Sequence, residues 1–300
     1  MGNLIINIIG VFILIGIGYY LYFKLHPHAF DKMLEKQLKK NTALLTKDDS
    51  KLYGKRFTIK RDDGSVIKMN LYIPSASDNE KLPAVVIAHG GSFMDGSADQ
   101  IDTLCNRLKE NWGAVIVNID YTLLTEKQFP YQHDEIKDTV LWFAKHASDF
   151  NIDPQKIVLA GFTAGAYLMV GAAALLRDFK FTPAGVILCY PILDDTMIRM
   201  ADAGIHPSPL GIISCGHDQM AERMTVYREH MDRAGIDYEL QNYSDAYTGF
   251  IEANNPEYTE NPKLNRNPAV SEDQENMARA AEMWMGGQLE RFFEKSEKHA

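Results

Sequence analysis

The sequence predicts an α/β fold: a mostly parallel, eight-stranded sheet with helices on both faces, preceded by an N-terminal transmembrane helix. Three observations carry this. From Pro83 onward short strand-like runs alternate with longer helical patterns, the mark of strand–helix–strand units packed into a parallel sheet. Several of those runs are apolar throughout, such as Val85-Val86-Ile87-Ala88 and Ile157-Val158-Leu159-Ala160, as suits strands covered on both faces. Residues 3–23 carry no charge and are about as long as the hydrocarbon core of a bilayer requires.

In order along the chain, residues 3–23 read as a transmembrane anchor and 24–51 as a Lys-rich juxtamembrane segment, helical in its pattern and partly a spacer. Residues 52–293 read as one α/β domain and 294–300 as a polar tail. Tyr19, Tyr20 and Tyr22 sit at one end of the uncharged run, and Lys24, Lys32, Lys36, Lys39 and Lys40 follow it. That excess of lysine predicts a cytoplasmic placement for the domain beyond. Residues 52–74 alternate apolar and polar around Asp62-Asp63-Gly64, which predicts a hairpin with a D-G turn. Strands are then expected at 84–89, 114–120, 157–161, 185–191, 210–216 and 238–243. Helices are expected at 101–111, 132–150, 164–178, 221–234 and 273–293. Residues 194–209 and 254–271 lack periodicity and are expected as loops, walls of a pocket or a small lid at the carboxyl ends of strands.

A net charge of −9 argues against a nucleic-acid partner, which needs a basic face. Cys105, Cys189 and Cys215 are odd in number, and two lie in apolar strand patterns. They read as buried thiols rather than a disulfide framework.

Four segments carry chemistry. Gly161-Phe162-Thr163-Ala164-Gly165 follows a strand and opens a helix, matching the G-x-S-x-G nucleophile elbow with threonine at the apex. His89-Gly90-Gly91 follows a strand, as a loop offering backbone N–H groups to an oxyanion does. Gly216-His217-Asp218 ends a strand with a carboxylate, and Thr248-Gly249-Phe250 stands where the pattern wants His-Gly-Phe. The order nucleophile, acid, base is that of one hydrolase architecture.

On these residues, with Asp120-Tyr121 and Phe129-Pro130, residues 52–293 resemble the α/β-hydrolases of the carboxylesterase and lipase group, near the hormone-sensitive-lipase-like and bacterial acetyl-esterase enzymes. The resemblance implies an oxyanion hole at Gly90, Gly91 and the N–H of Ala164. It also implies Asp218 as the triad acid, Gly161 and Gly165 as the glycines of the elbow, and a supporting role for His89. It implies a small ester or acyl ligand as partner, and no cofactor or metal. The chain departs from the family at Thr163, in place of the serine nucleophile, and at Thr248, in place of the histidine base. His217 is no evident substitute, because adjacent side chains in an extended segment point to opposite sides.

Three readings stay open: an ester hydrolase whose triad is disabled, a pseudo-hydrolase that binds an acyl ligand or a protein partner, and an active enzyme using Thr163 with a base the sequence does not reveal. Threonine at the apex carries a further expectation. The apex of an elbow has positive φ, which β-branching opposes at a cost of about 1–3 kcal/mol, so Thr163 is expected either at positive φ or in a relaxed turn.

Overall fold

A computed structural model describes residues 27–75, 81–205, 207 and 209–299. The chain divides near Leu45 into two units. In the first lies α1 (Pro27–Leu45), where Glu35 pairs with Lys39 at 2.7 Å and Gln37 donates to Asn41 at 3.0 Å, each one turn apart. The uncharged run at 3–23 lies outside the described residues. Among the described residues no helix is long and apolar enough to cross a membrane.

The second unit is built on one eight-stranded sheet. Its strands are β1 (Lys55–Lys60), β2 (Val66–Tyr72), β3 (Leu82–Ala88), β4 (Val115–Asp120), β5 (Ile152–Phe162), β6 (Gly185–Cys189), β7 (Leu210–His217) and β8 (Tyr238–Tyr247). They lie in the order β1-β2-β4-β3-β5-β6-β7-β8. β1 and β2 are antiparallel, as are β2 and β4, while every pairing from β4 through β3 to β8 is parallel. The β1–β2 turn is the expected D-G turn, with Gly64 at φ +83 and the Arg61 N–H donating to the Ser65 carbonyl at 2.9 Å.

The uniformly apolar strands are explained by two cores. On β3, Ala84, Val86 and Ala88 face one cluster with α3 (Tyr131–Lys145), α4 (Ala164–Leu176) and α6 (Ala221–Ala234). Val85 and Ile87 face the other, with α2 (Asp102–Trp112) and α9 (Glu272–His299). Alternate residues of a strand point to opposite faces, so a strand buried on both must be apolar at every position.

The structure corrects several expected boundaries. Residues 194–209 are not all loop: α5 (Asp195–Asp202) forms there, because the Asp194 carboxylate accepts the N–H groups of Thr196 and Met197, both at 2.9 Å, and so caps the helix. Residues 254–271 contain the short α8 (Pro256–Thr259), with proline in its first turn. The helix expected to reach residue 150 ends as an α-helix at Lys145 and finishes in a 3₁₀ turn, Ala147–Phe150. β5 begins earlier than expected, at Ile152, whose pairing with Leu82 extends it before a bulge. β8 runs on to Tyr247 beside β7.

The start of this unit is fastened by buried ion pairs. Lys47 reaches Asp102 and Glu257, both at 2.8 Å, and Asp102 also accepts from the Tyr72 hydroxyl at 2.8 Å. Buried carboxylates on α2 and α8 are thus matched by a cation brought from outside the sheet.

Candidate active site

All the strands from β3 to β8 run parallel, so the loops that follow β3, β5, β7 and β8 open at one edge of the sheet. Those loops hold His89-Gly90-Gly91, Thr163, Asp218 and Thr248 respectively.

Thr163 stands between β5 and α4 at φ 45, ψ −105. The turn has not relaxed. The strained backbone is held by the Thr163 N–H donating to the Cys189 carbonyl at 3.0 Å and by close contacts at both flanks. A Cβ on Gly161 would lie 2.4 Å from the Gly165 carbonyl carbon, and one on Gly165 would lie 2.2 Å from the Ala88 carbonyl oxygen. Strand, helix and the neighbouring strand end therefore meet backbone to backbone, which only glycine permits.

The loop after β3 is equally constrained. Gly91 has φ +114, and a Cβ there would fall 2.0 Å from the Asp95 carbonyl oxygen. Ser92 and Phe93 follow at φ 52 and 66, a costly conformation for a bulky residue. His89 is fully buried, its Nδ1 is 2.6 Å from the Gly90 carbonyl, and its ring stacks on Tyr121 at 4.3 Å. A carbonyl partner makes Nδ1 the protonated nitrogen, leaving Nε2 a buried acceptor without a hydrogen bond. Burial pulls the His89 pKa below its usual value, so the ring is neutral and holds the loop. A Cβ on Gly90 would lie 2.7 Å from Thr163 Oγ1. The loop thus stands against the elbow hydroxyl.

At the ends of β7 and β8, the Thr248 hydroxyl stands beside the Asp218 carboxyl and the Cys215 thiol and lowers the pKa of both. Burial raises the Asp218 pKa, opposed by the Met220 N–H at 2.9 Å and by Thr248. Burial also pushes the Cys215 thiol up to about 12, so it is an inert neutral group; all three cysteines are free and buried. His217 is exposed and stacks on Tyr247 at 4.3 Å, while its neighbour Asp218 is partly buried. The two neighbours differ in exposure, as adjacent side chains of an extended segment do. The other histidines with described side chains are committed elsewhere. His133 packs on Gly171, and burial lowers its pKa to about 4; His146 stacks on Trp142, and His230 pairs with Asp202.

Sequence reasoning missed Glu252 and Tyr190. Glu252 lies in α7 (Phe250–Ala253), four residues beyond Thr248, and is only 5% exposed. Its Oε2 accepts from the Tyr190 hydroxyl, and its Oε1 would stand 3.5 Å from a Cβ on Gly90. Burial raises its pKa to about 7, partly offset by the Tyr190 hydrogen bond. Tyr190 follows β6 at φ 38 and is buried. The only sequence signal was one acidic residue in an otherwise apolar stretch, Phe250-Ile251-Glu252-Ala253. Phe93, in the loop after Gly91, clusters with Phe129 and Tyr167, with ring centroids 5.4–6.1 Å apart.

Comparison with known proteins agrees with this geometry. Residues 85–207, from β3 through the elbow to the segment after α5, match a family model described as alpha/beta hydrolase fold. An esterase of the fungus Rhizomucor miehei superposes with a TM-score of 0.68 at 21% identity, covering 89% of this chain and 92% of that one. The chain has the α/β-hydrolase fold. A Pyrobaculum calidifontis esterase is similarly alike, with a TM-score of 0.64 at 22% identity over 86% of this chain and 92% of that one. In sequence, an ethyl acetate hydrolase of Pseudomonas putida is 28% identical over 141 residues, 46% of this chain and 44% of that protein. The match therefore spans less than half of the hydrolase's length.

Proposed function

We propose that this α/β-hydrolase-fold chain carries a carboxylic-ester site, taking small acyl esters, in which acyl transfer by the Ser-His-Asp route is disabled. The ester class is supported by the likeness to esterases and to an ethyl acetate hydrolase. One observation carries the rest: the side chain beside Asp218 at the end of β8 is the Thr248 hydroxyl and not an imidazole, while the elbow keeps its strained apex at Thr163.

In this reading the N–H groups of Gly90, Gly91 and Ala164 face the developing oxyanion. Asp218 is the acid of a triad whose base is gone. Acyl transfer needs a nucleophile and a group that takes its proton as it attacks. A secondary hydroxyl without an imidazole leaves binding and oxyanion stabilisation, which by themselves retain a small part of the rate. The uncharged run at 3–23 and the lysines after it support a membrane-tethered, cytoplasmic placement of the domain.

The test is hydrolysis of p-nitrophenyl acetate by the full chain and by Thr163→Ser/Thr248→His. The double variant should gain roughly 10³ to 10⁶ in rate and become labelled at residue 163 by an organophosphorus reagent. An inert, folded double variant would sink the ester reading and favour a site that only binds an acyl ligand or a protein partner.

A further inference from the structure

We propose that Glu252 is the proton acceptor for the Thr163 hydroxyl, so that the chain keeps a slow ester hydrolysis of its own through a threonine–glutamate pair. This rests on the ester-site reading above and names a base that the lost histidine position does not supply.

The geometry starts at Gly90. The three atoms nearest to the point where its Cβ would stand are Thr163 Oγ1 at 2.7 Å, Glu252 Oε1 at 3.5 Å and the Phe162 carbonyl oxygen at 3.7 Å. The nucleophile position and a buried carboxyl oxygen thus flank the same side-chain-free spot, across a span that one water can bridge. The carboxyl is also aimed. Its Oε2 is held by the Tyr190 hydroxyl, which leaves Oε1 on the Gly90 side. Tyr190 is itself fixed at φ 38 with its N–H on the Ile213 carbonyl at 2.7 Å.

The groups that feel the Glu252 charge are Tyr190 and Cys189 after and on β6, Cys215 on β7 and Tyr258 on α8. All four are neutral near pH 7, and none is a cation that would hold the carboxylate in its weakly basic form. Burial accordingly places its pKa at about 7, near the optimum for a general base at neutral pH.

The step balances without another reagent. Thr163 Oγ adds to the ester carbonyl carbon as its proton passes to the Glu252 carboxylate. The tetrahedral oxyanion collapses, the bond to the alcohol oxygen breaks, and that oxygen takes the proton back from Glu252. Water then cleaves the acyl-threonine in the same way, restoring the Thr163 hydroxyl and releasing the carboxylic acid.

The experiment follows p-nitrophenyl acetate hydrolysis by the full chain from pH 5 to 9, with buffer hydrolysis subtracted. The rate should rise with pH and level off above about 7, because the carboxylate is the active form. Glu252→Gln, which keeps a hydrogen-bond acceptor for Tyr190, should lower the rate by roughly 10² with little change in KM and abolish the pH step. Tyr190→Phe, which frees Oε2, should lower the plateau rate and move the step to higher pH. In the Thr163→Ser/Thr248→His background Glu252→Gln should have little effect. Three results overturn the assignment: no turnover above that of Thr163→Ala, an unchanged rate in Glu252→Gln, or an equal loss in both backgrounds, which marks a structural role. An inert double variant instead overturns the ester reading beneath it.

Discussion

The two sides of the site differ in what they have kept. On the elbow side, Thr163 holds φ 45 and Gly161, Gly165 and Gly91 fill places where a Cβ would collide with backbone. On the acid–base side, Asp218 and Thr248 meet at the ends of β7 and β8, and no imidazole stands beside them. Backbone geometry is distributed over glycines, strand ends and hydrogen bonds, and it survives a changed side chain. Proton chemistry sits in single functional groups and does not. The elbow endures even with a β-branched residue that its own backbone disfavours.

The widest break in this comparison comes from restoring the proton chemistry alone. Thr163→Ser and Thr248→His should each recover little singly, because triad groups act as a unit; steady-state rates that add up to the double variant's would show two independent sites. Attacking the other side should cost stability instead. Gly165→Ala places a Cβ 2.2 Å from the Ala88 carbonyl oxygen, and neither partner is a side chain that can swing away. A loss of about 3 kcal/mol or more is expected in denaturant unfolding, together with loss of any activity gained by the double variant. An unchanged midpoint would show that β3 and α4 can separate freely.

Glu252 sharpens the contrast through pH. Its folded pKa of about 7 lies above the ordinary 4.5, so the folded state holds the proton where the unfolded state has released it. Its stabilising share is full below pH 4.5 and fades as pH rises through 7. Glu252→Gln removes that loss and should stabilise the protein above pH 7 by up to about 3 kcal/mol, with little gain at pH 4. Equal effects at both pH values would mean that the carboxyl is not desolvated. The smallest effect belongs to the apex. Thr163→Ser should raise stability by up to about 1 kcal/mol by easing β-branch strain at positive φ, and a lowered midpoint with the fold intact would remove strain as the explanation.

Much of this is legible in the sequence. The alternation of strands and helices, the D-G hairpin and the glycines around Thr163 are local signals, read from the period of hydrophobicity and from residues that only special backbone angles require. Asp194 before Asp195-Thr196-Met197 is a local capping signal too. The longer β5 is not legible, because Asp153-Pro154 reads locally as a break and only pairing with Leu82 makes Ile152 a strand residue.

The sequence by itself determined the order of strands and helices, the order of the site's loops, and the threonines at positions 163 and 248. Only the tertiary structure decided what surrounds them. Gly90, Thr163, Tyr190 and Glu252 come from four separate elements and meet because parallel strands deliver their carboxyl ends to one edge. Glutamate in a short apolar helix means little in one dimension. Enclosed beside a hydroxyl with no cation among the groups around it, the same residue becomes a base near neutral pH, since desolvation, which sets its proton affinity, is a property of the packed interior and not of the chain.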